Sequence, residues 1–199
     1  MGLLTMELSK KNVLTVLNII AVGIFLLHAT PSMAAPTWEK TIDYGYPGYS
    51  ETSSNWKTYN SPQAHDSSYR YLSHEVGNHS RTGTATWETT VPYCGLYKVS
   101  ISYRKTENRT PDADYYVTAN EAGGEKHFVV DQRSHHPAYS GWVEVGVFFY
   151  TAEQKVRVHL DGTDDGSSDC ADAAHWELIA QQRCPGDVDI VPARSLLLK

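Results

Sequence analysis

GTATWETTVPYCGLYKVSISY, Gly83 to Tyr103, carries the periodicity that decides the fold of this chain. Between Thr84 and Val91, Ala85 and Trp87 alternate with Thr86 and Glu88. Between Leu96 and Tyr103, the apolar Tyr97, Val99, Ile101 and Tyr103 alternate with Lys98, Ser100 and Ser102. Side chains of a strand point alternately to its two faces, so the stretch predicts two half-buried strands, each with one wet face. The short link through Pro92 and Gly95 predicts a hairpin between them. One-sided burial belongs to antiparallel sheets rather than to the buried parallel sheets of nucleotide-binding enzymes, which directs the search for function to sheet faces and loop ends.

Outward from this stretch, the ends of the chain differ in kind. Lys10 and Lys11 precede an apolar run from Val13 to Leu27, followed by Pro31, Ser32 and Ala34. This order predicts a secretory signal over residues 1–34, cleaved after Ala34. The alternative is an N-terminal membrane anchor, against which Asn18, Gly23 and His28 interrupt the run. Cleavage would remove all three Met and keep all thirteen Tyr and all five Trp, a composition rich in strand formers. Loss of Glu7, Lys10 and Lys11 takes the 23 acidic and 17 basic side chains to 22 and 15, a net charge of −7. That balance argues against nucleic acid or an anionic membrane as partner.

The predicted destination is secreted, whether extracellular or periplasmic, and there Cys94, Cys170 and Cys184 should give one bridge and one thiol. In a meander-like order, Cys94 follows the end of one strand and Cys184 the end of the last, at the same end of the fold. Cys170 begins that last strand, at the other end. The expected disulfide is therefore Cys94–Cys184, with Cys170 a small buried apolar residue. Zinc is not expected, because no two Cys have C-x₂-C spacing and the His are scattered.

Further strands are predicted around Thr41–Tyr44, Tyr69–Ser73, Asp114–Ala119, Lys126–Asp131, Trp142–Phe149, Lys155–Leu160 and Ala171–Ile179, bounded by turn signals such as Ser140-Gly141 and Asp161-Gly162. No stretch sustains helical periodicity over three turns. Eight or nine short strands imply an all-β, two-sheet sandwich of the jelly-roll type over residues 37–180, with 181–199 as a C-terminal extension.

Trp87, Trp142 and Trp176 read as core by alternation. Trp56 and Tyr59 fall instead in the polar stretch TSSNWKTYNSP, where rings held out of the core would stack on the apolar face of a sugar; the alternative is a ring folded back on the sandwich. Asn108, Arg109, Gln132 and Arg133 supply amides and guanidinium groups suited to sugar hydroxyls, while Arg109 has the alternative of a bidentate bond to Asp172 or Asp114. The acidic stretch Asp161–Asp169 partly fits the start of an EF-hand loop. Ser168 stands where an apolar anchor belongs and no helices flank it, so a solvated turn is expected and no metal. Asn78 and Asn108 lie in glycosylation sequons. No nucleophile elbow or metalloprotease motif is present, and Glu51, Glu75 and Glu88 would make a glycosidase pair only if the fold brought two together.

Ordered pieces of the chain resemble a known family. They are Asp43, Tyr49-Ser50 and Trp56; Tyr69-Arg70-Tyr71; Ala85 to Trp87 with Pro92; and Gly95, Tyr97 and Val99. They continue with Asn108-Arg109, Tyr115 and Val117, Gly123-Gly124, Val130-Asp131-Gln132, Gly141 to Gly146, Val156 and Val158, and Ala171 to Ala173. From Thr41 to Ile179 the sequence is similar to the carbohydrate-binding-like domain at the C-terminus of golvesin and in xanthan lyase. The resemblance implies a galactose-binding-like sandwich that accompanies secreted or surface enzymes without catalysing anything itself. Ala174-His175-Trp176 replaces the family's Val-Arg-Phe, and the HHPAY stretch at His135–Tyr139 is unusual. The expected function is thus a secreted, non-catalytic module with no cofactor, for polysaccharide or cell-surface glycan. The alternative is an adhesion domain contacting a protein, with a cryptic hydrolase or lyase a distant third.

Overall fold

Two apolar faces that each need covering can cover one another, and that is how the Gly83–Tyr103 stretch is used. A computed structural model of the chain describes residues 36–72, 82–119, 124–133, 141–162 and 167–187. Strands β1 (Glu39–Asp43), β2 (Tyr49–Glu51), β3 (Trp56–Asn60) and β4 (Ser68–Leu72) come first, with a short 3₁₀ turn at His65–Ser67. Then come β5 (Gly83–Thr90), β6 (Gly95–Ser102), β7 (Ala113–Thr118), β8 (Glu125–Val130), β9 (Val143–Tyr150), β10 (Lys155–Gly162), β11 (Asp169–Ala171) and β12 (Ala173–Gln181).

They form three antiparallel sheets, ordered β1-β12-β6-β9, β2-β5-β10-β7-β8 and β11-β4-β3. β5 and β6 are therefore not the hairpin that their spacing predicts. They lie in different sheets, and the link between them is an arch. Both strands carry bulky rings on one face only, and stacking those faces buries both, whereas pairing the strands side by side would leave two faces to cover. The arch is pinned to the neighbouring turn, since Val91 N–H donates to the Gln154 carbonyl at 3.0 Å and Glu153 N–H to the Val91 carbonyl at 2.8 Å.

The core so formed holds Trp87, Tyr97, Val99, Ile101, Tyr115, Tyr150, Leu160 and Trp176, all inaccessible to solvent. Buried tyrosines need a partner for the hydroxyl, and carbonyls supply it: Tyr97 donates to Tyr93 at 2.8 Å and Tyr103 to Asp131 at 3.2 Å. Gly48 shows how close β5 comes, because at φ +101° it sits where a Cβ would meet the Glu88 carbonyl at 2.5 Å.

The Cys94–Cys184 disulfide joins the arch to the chain beyond β12, with a Cα separation of 5.2 Å, and Cys170 is a buried free thiol. The start of the expected C-terminal extension is thus fastened, and Gln182 N–H adds a bond to the Cys94 carbonyl at 2.9 Å. Ala171–Ile179, expected as one strand, is divided at Asp172, where the chain passes from the three-stranded sheet into the four-stranded one. The serine face of β6 is also dry at its end, where Ser100 and Ser102 are buried and Ser102 donates to Asp172 Oδ2 at 3.0 Å.

Among the described residues no helix is long and apolar enough to cross a membrane. Residues 1–34, Glu75, Asn78, His135–Tyr139 and the middle of the acidic stretch, 163–166, lie outside the described residues.

Candidate functional site

Strand alternation separates the two rings that the sequence placed together. In β3, Trp56 and Tyr59 are three residues apart, an odd spacing that sends them to opposite faces. Trp56 pairs with Leu72 across β4 and enters the core at 3% exposure, so it is no stacking platform. Tyr59 pairs with Tyr69 and stays 56% exposed. Tyr71 lies on the same face two residues on, and the ring centroids run 5.7 Å from Tyr59 to Tyr69 and 6.2 Å from Tyr69 to Tyr71.

These tyrosines form one wall of an open cleft of about 450 Å³ whose other wall is the chain that leaves β6, bringing Arg104, Thr106, Asn108 and Arg109 to it. That segment is held by the backbone: Arg109 N–H donates to the Thr106 carbonyl at 3.2 Å, Ser168 N–H to Asn108 at 3.1 Å and Thr110 N–H to Ser168 at 3.1 Å. Arg109 is 4% exposed, and neither expected carboxylate, Asp172 nor Asp114, takes its charge. Its Nη2 donates to Tyr69 Oη at 2.7 Å and its Nε to the Arg104 carbonyl at 3.2 Å, with its plane 5.2 Å from the Tyr69 ring and 5.7 Å from that of Tyr71. The cation is thus solvated by π faces and a phenol. Burial pushes the Tyr69 hydroxyl upward, so it stays protonated and can donate into the cleft.

The structure thus brings Tyr59, Asn108 and Arg109 together and takes the other candidates away. Gln132 is fully buried. Its amide donates to Tyr115 Oη at 3.0 Å and to the Cys170 carbonyl at 2.9 Å, and accepts from Cys170 N–H at 2.8 Å. An amide side chain offers the same donor and acceptor as a peptide group, so Gln132 completes the bonding of β11 rather than meeting a ligand. Arg133 is exposed but engages Asp131 at 3.6 Å, away from the cleft. Sequence reasoning missed Arg104, Tyr69 and Tyr71 as cleft residues, although the Tyr69-Arg70-Tyr71 alternation signals two tyrosines on one face.

Two more expectations change. Trp142 is not core: it precedes β9, is 36% exposed and packs between the imidazoles of His65 and His175 at 5.5 and 5.2 Å. The acidic stretch is not simply a solvated turn, since Asp161 ends up in β10 and Asp169 is 1% exposed in β11. Of the carboxylates weighed for catalysis, Glu51 is held by Arg70 through bonds of 2.6 and 2.7 Å, and Glu88 by Lys155 at 2.7 Å.

Beyond the cleft, Asp43, His65 and Asp66 place one ligand-type atom each within 4.8 Å of the others. Those atoms already have partners, His65 Nδ1 on Asp43 Oδ2 at 2.7 Å and Tyr46 Oη on Asp66 Oδ2 at 2.8 Å. Burial raises the Asp43 carboxyl above its usual value and lowers the His175 imidazole. Nearby, Asp172 is wholly buried; its Oδ2 accepts from His65 N–H at 3.0 Å and from Ser102, Oδ1 has no partner among the described residues, and burial pushes the carboxyl up to about 7.

The fold is thus a jelly-roll-type β-sandwich with an aromatic cleft beside the chain that leaves β6. The golvesin C-terminal domain model matches residues 41–177, so this chain belongs to the golvesin C-terminal domain family. No curated protein matches the chain. Among solved structures, a Paenibacillus xanthan lyase superposes with a TM-score of 0.60 at 18% identity, over 71% of this chain and 13% of the lyase. A family 35 carbohydrate-binding module from Clostridium thermocellum matches with a TM-score of 0.47 at 14% identity, over 69% of this chain and 97% of the module. The corresponding module of Cellvibrio japonicus Abf62 gives 0.47 at 11% identity, over 74% of this chain and all of the module.

Proposed function

We propose that this domain is an exported, non-catalytic binding module that holds a polysaccharide or cell-surface glycan in the Tyr59 cleft. The observation that carries the reading is Tyr59 itself: a phenol ring more than half exposed at the rim of an open cleft whose opposite wall is fixed by backbone hydrogen bonds. A sugar has an apolar face ringed by hydroxyls, and a site for it needs a flat ring beside a few oriented polar groups. Tyr59 offers the ring, and Asn60, Ser61, Asn108 and the two arginines offer the polar groups. Glu51 and Glu88 are committed to Arg70 and Lys155, which supports binding without hydrolysis. The disulfide supports an oxidising compartment. Of the rings around Tyr44–Tyr49, where an adhesive patch would show, Tyr49 lies against Trp87 and donates to Glu51, whereas Tyr46 is 53% exposed and its hydroxyl donates to Asp66.

Affinity electrophoresis against a panel of neutral and acidic polysaccharides tests the reading. Tyr59→Ala should abolish retention while leaving the melting temperature within a degree or so, because an exposed ring adds little to the core. Trp56→Ala should do the opposite, destabilising by about 3–5 kcal/mol as a buried aromatic truncation. Retention unchanged by Tyr59→Ala would place the site elsewhere.

A further inference from the structure

Resting on the cleft as the binding site, we propose that its ligand is an acidic glycan, one that carries carboxylates as uronate residues do, with Arg104 and Arg109 as its counter-ions. The chain has an excess of acidic over basic side chains, yet the ten residues lining this cleft include two arginines and no Asp or Glu. Neighbouring clefts contrast with it: one beside Trp38 is lined by Glu39 and Glu177, and one beside Gly83 by Asp161.

The arginines of this cleft also differ from others in the fold. Arg70 sits on Glu51, Arg133 on Asp131 and Arg157 on Glu125. Arg104 and Arg109 form no ion pair among the described residues. A guanidinium does not give up its proton in a protein, so a buried one stays charged; π faces offset part of its desolvation, and an anion or further hydrogen bonds would offset the rest. Arg109 is buried and incompletely bonded: Nε and Nη2 are used, and Nη1 is uncommitted. Arg104 spends Nε on Ser61 Oγ at 3.3 Å and Nη1 on the Lys105 carbonyl, which leaves Nη2. Two guanidinium groups with donors to spare, joined through the Arg104 carbonyl, therefore face one space.

Among anions, a carboxylate is planar and takes two N–H donors at once, the geometry in which arginine binds most selectively. Tyr59 beside that charge makes the fitting ligand a ring that bears a carboxylate rather than a free ion. Asn108 extends the match. Its Oδ1 already accepts from Thr106 Oγ1, so its amide N–H groups are the part that can donate to a sugar oxygen.

The test is affinity electrophoresis of the whole protein through gels holding alginate or polygalacturonate, the same polymers with their carboxyl groups reduced to alcohols, or dextran sulfate. Retention on a polyuronate should exceed that on its reduced form by about tenfold or more, the worth of one or two charge-assisted hydrogen bonds. Arg104→Gln should erase that difference at an unchanged melting temperature, and Arg104→Lys should restore only part of it, because an ammonium lacks the fork. Equal retention on acidic and reduced polymer, lost in Tyr59→Ala, would overturn the acidic assignment and leave the cleft standing as a neutral-sugar site. Dextran sulfate held as strongly as the polyuronates would also overturn it, as unselective attraction of polyanions. Polyuronate retention untouched by both Tyr59→Ala and Arg104→Gln would overturn the cleft reading itself, as would no retention on any of these polymers.

Discussion

Asp172→Asn should make the protein more stable at alkaline pH and flatten its dependence on pH. The carboxyl of Asp172 rises from 3.8 to about 7 in the folded chain, first because it is buried and then because Asp43 adds a like charge nearby. A folded value above the unfolded one means that the native state binds the proton more tightly. Its contribution is therefore fully present below about pH 4 and is lost as pH climbs to about 7. With each pKa unit worth about 1.4 kcal/mol, the shift amounts to a loss of about 4 kcal/mol on the alkaline side. Asparagine cannot ionise, and its oxygen can keep the bonds from His65 N–H and Ser102 while its nitrogen takes the place of Oδ1, which has no partner in either case. The protonated acid and the amide are thus nearly equivalent here, and the two proteins should match near pH 4 and diverge above it. Urea unfolding at a series of pH values, read as the difference between variant and parent, isolates this group from others that titrate. A variant less stable than its parent at about pH 8.5, or a constant difference at every pH, would refute the reasoning.

Two further outcomes follow from the cysteines. Replacing Cys94 and Cys184 together by Ala opens a span of 90 residues and should lower stability by about 4–5 kcal/mol on the chain-entropy model; an unfolding midpoint within error of the parent's would contradict it. Burial holds the Cys170 thiol near 12, so iodoacetamide at about pH 8 should leave the native protein unmodified and add one equivalent once denaturant opens it without reductant. Labelling of the native state at the rate of an exposed thiol would show that Cys170 is reachable.

The sandwich was legible wherever a strand is long and has one dry face. β5, β6 and β10 announce themselves because alternation over eight residues has no other reading. Pairing was less legible: the same alternation suits a hairpin or an arch, and the choice turns on which apolar face covers which. β3 was missed because it lies at the edge of its sheet and shows solvent four of its five residues, so Trp56 had no apolar neighbours in sequence to mark it as core. Trp142 misled for the opposite reason. It extends the alternation of β9 by one residue, but the strand begins after it. Gln132 illustrates a more general limit, since a buried amide and a ligand-binding amide have the same sequence and differ only in what the fold places opposite. Of the site, Tyr59, Asn108 and Arg109 could be singled out by chemistry, whereas their meeting depends on the bend that follows β6.

The positions of the disulfide and the cleft along β6 carry a consequence for display. The bridge lies before Gly95, at the first residue of β6, and Arg104 follows its last, so a strand of eight residues, about 26 Å at 3.3 Å each, stands between them. β12 runs antiparallel to β6 and ends at Gln181 opposite Gly95, and β1 runs toward the cleft from its start at Glu39. Both strands that join this domain to the rest of a polypeptide therefore have their outer ends directed toward the bridged pole. A tether leaving beyond Cys184, whether to an enzyme or to a surface, would point the tyrosine rim away from its own attachment and toward the surroundings, and the covalent bridge would pass a pull on that tether to the arch before β6.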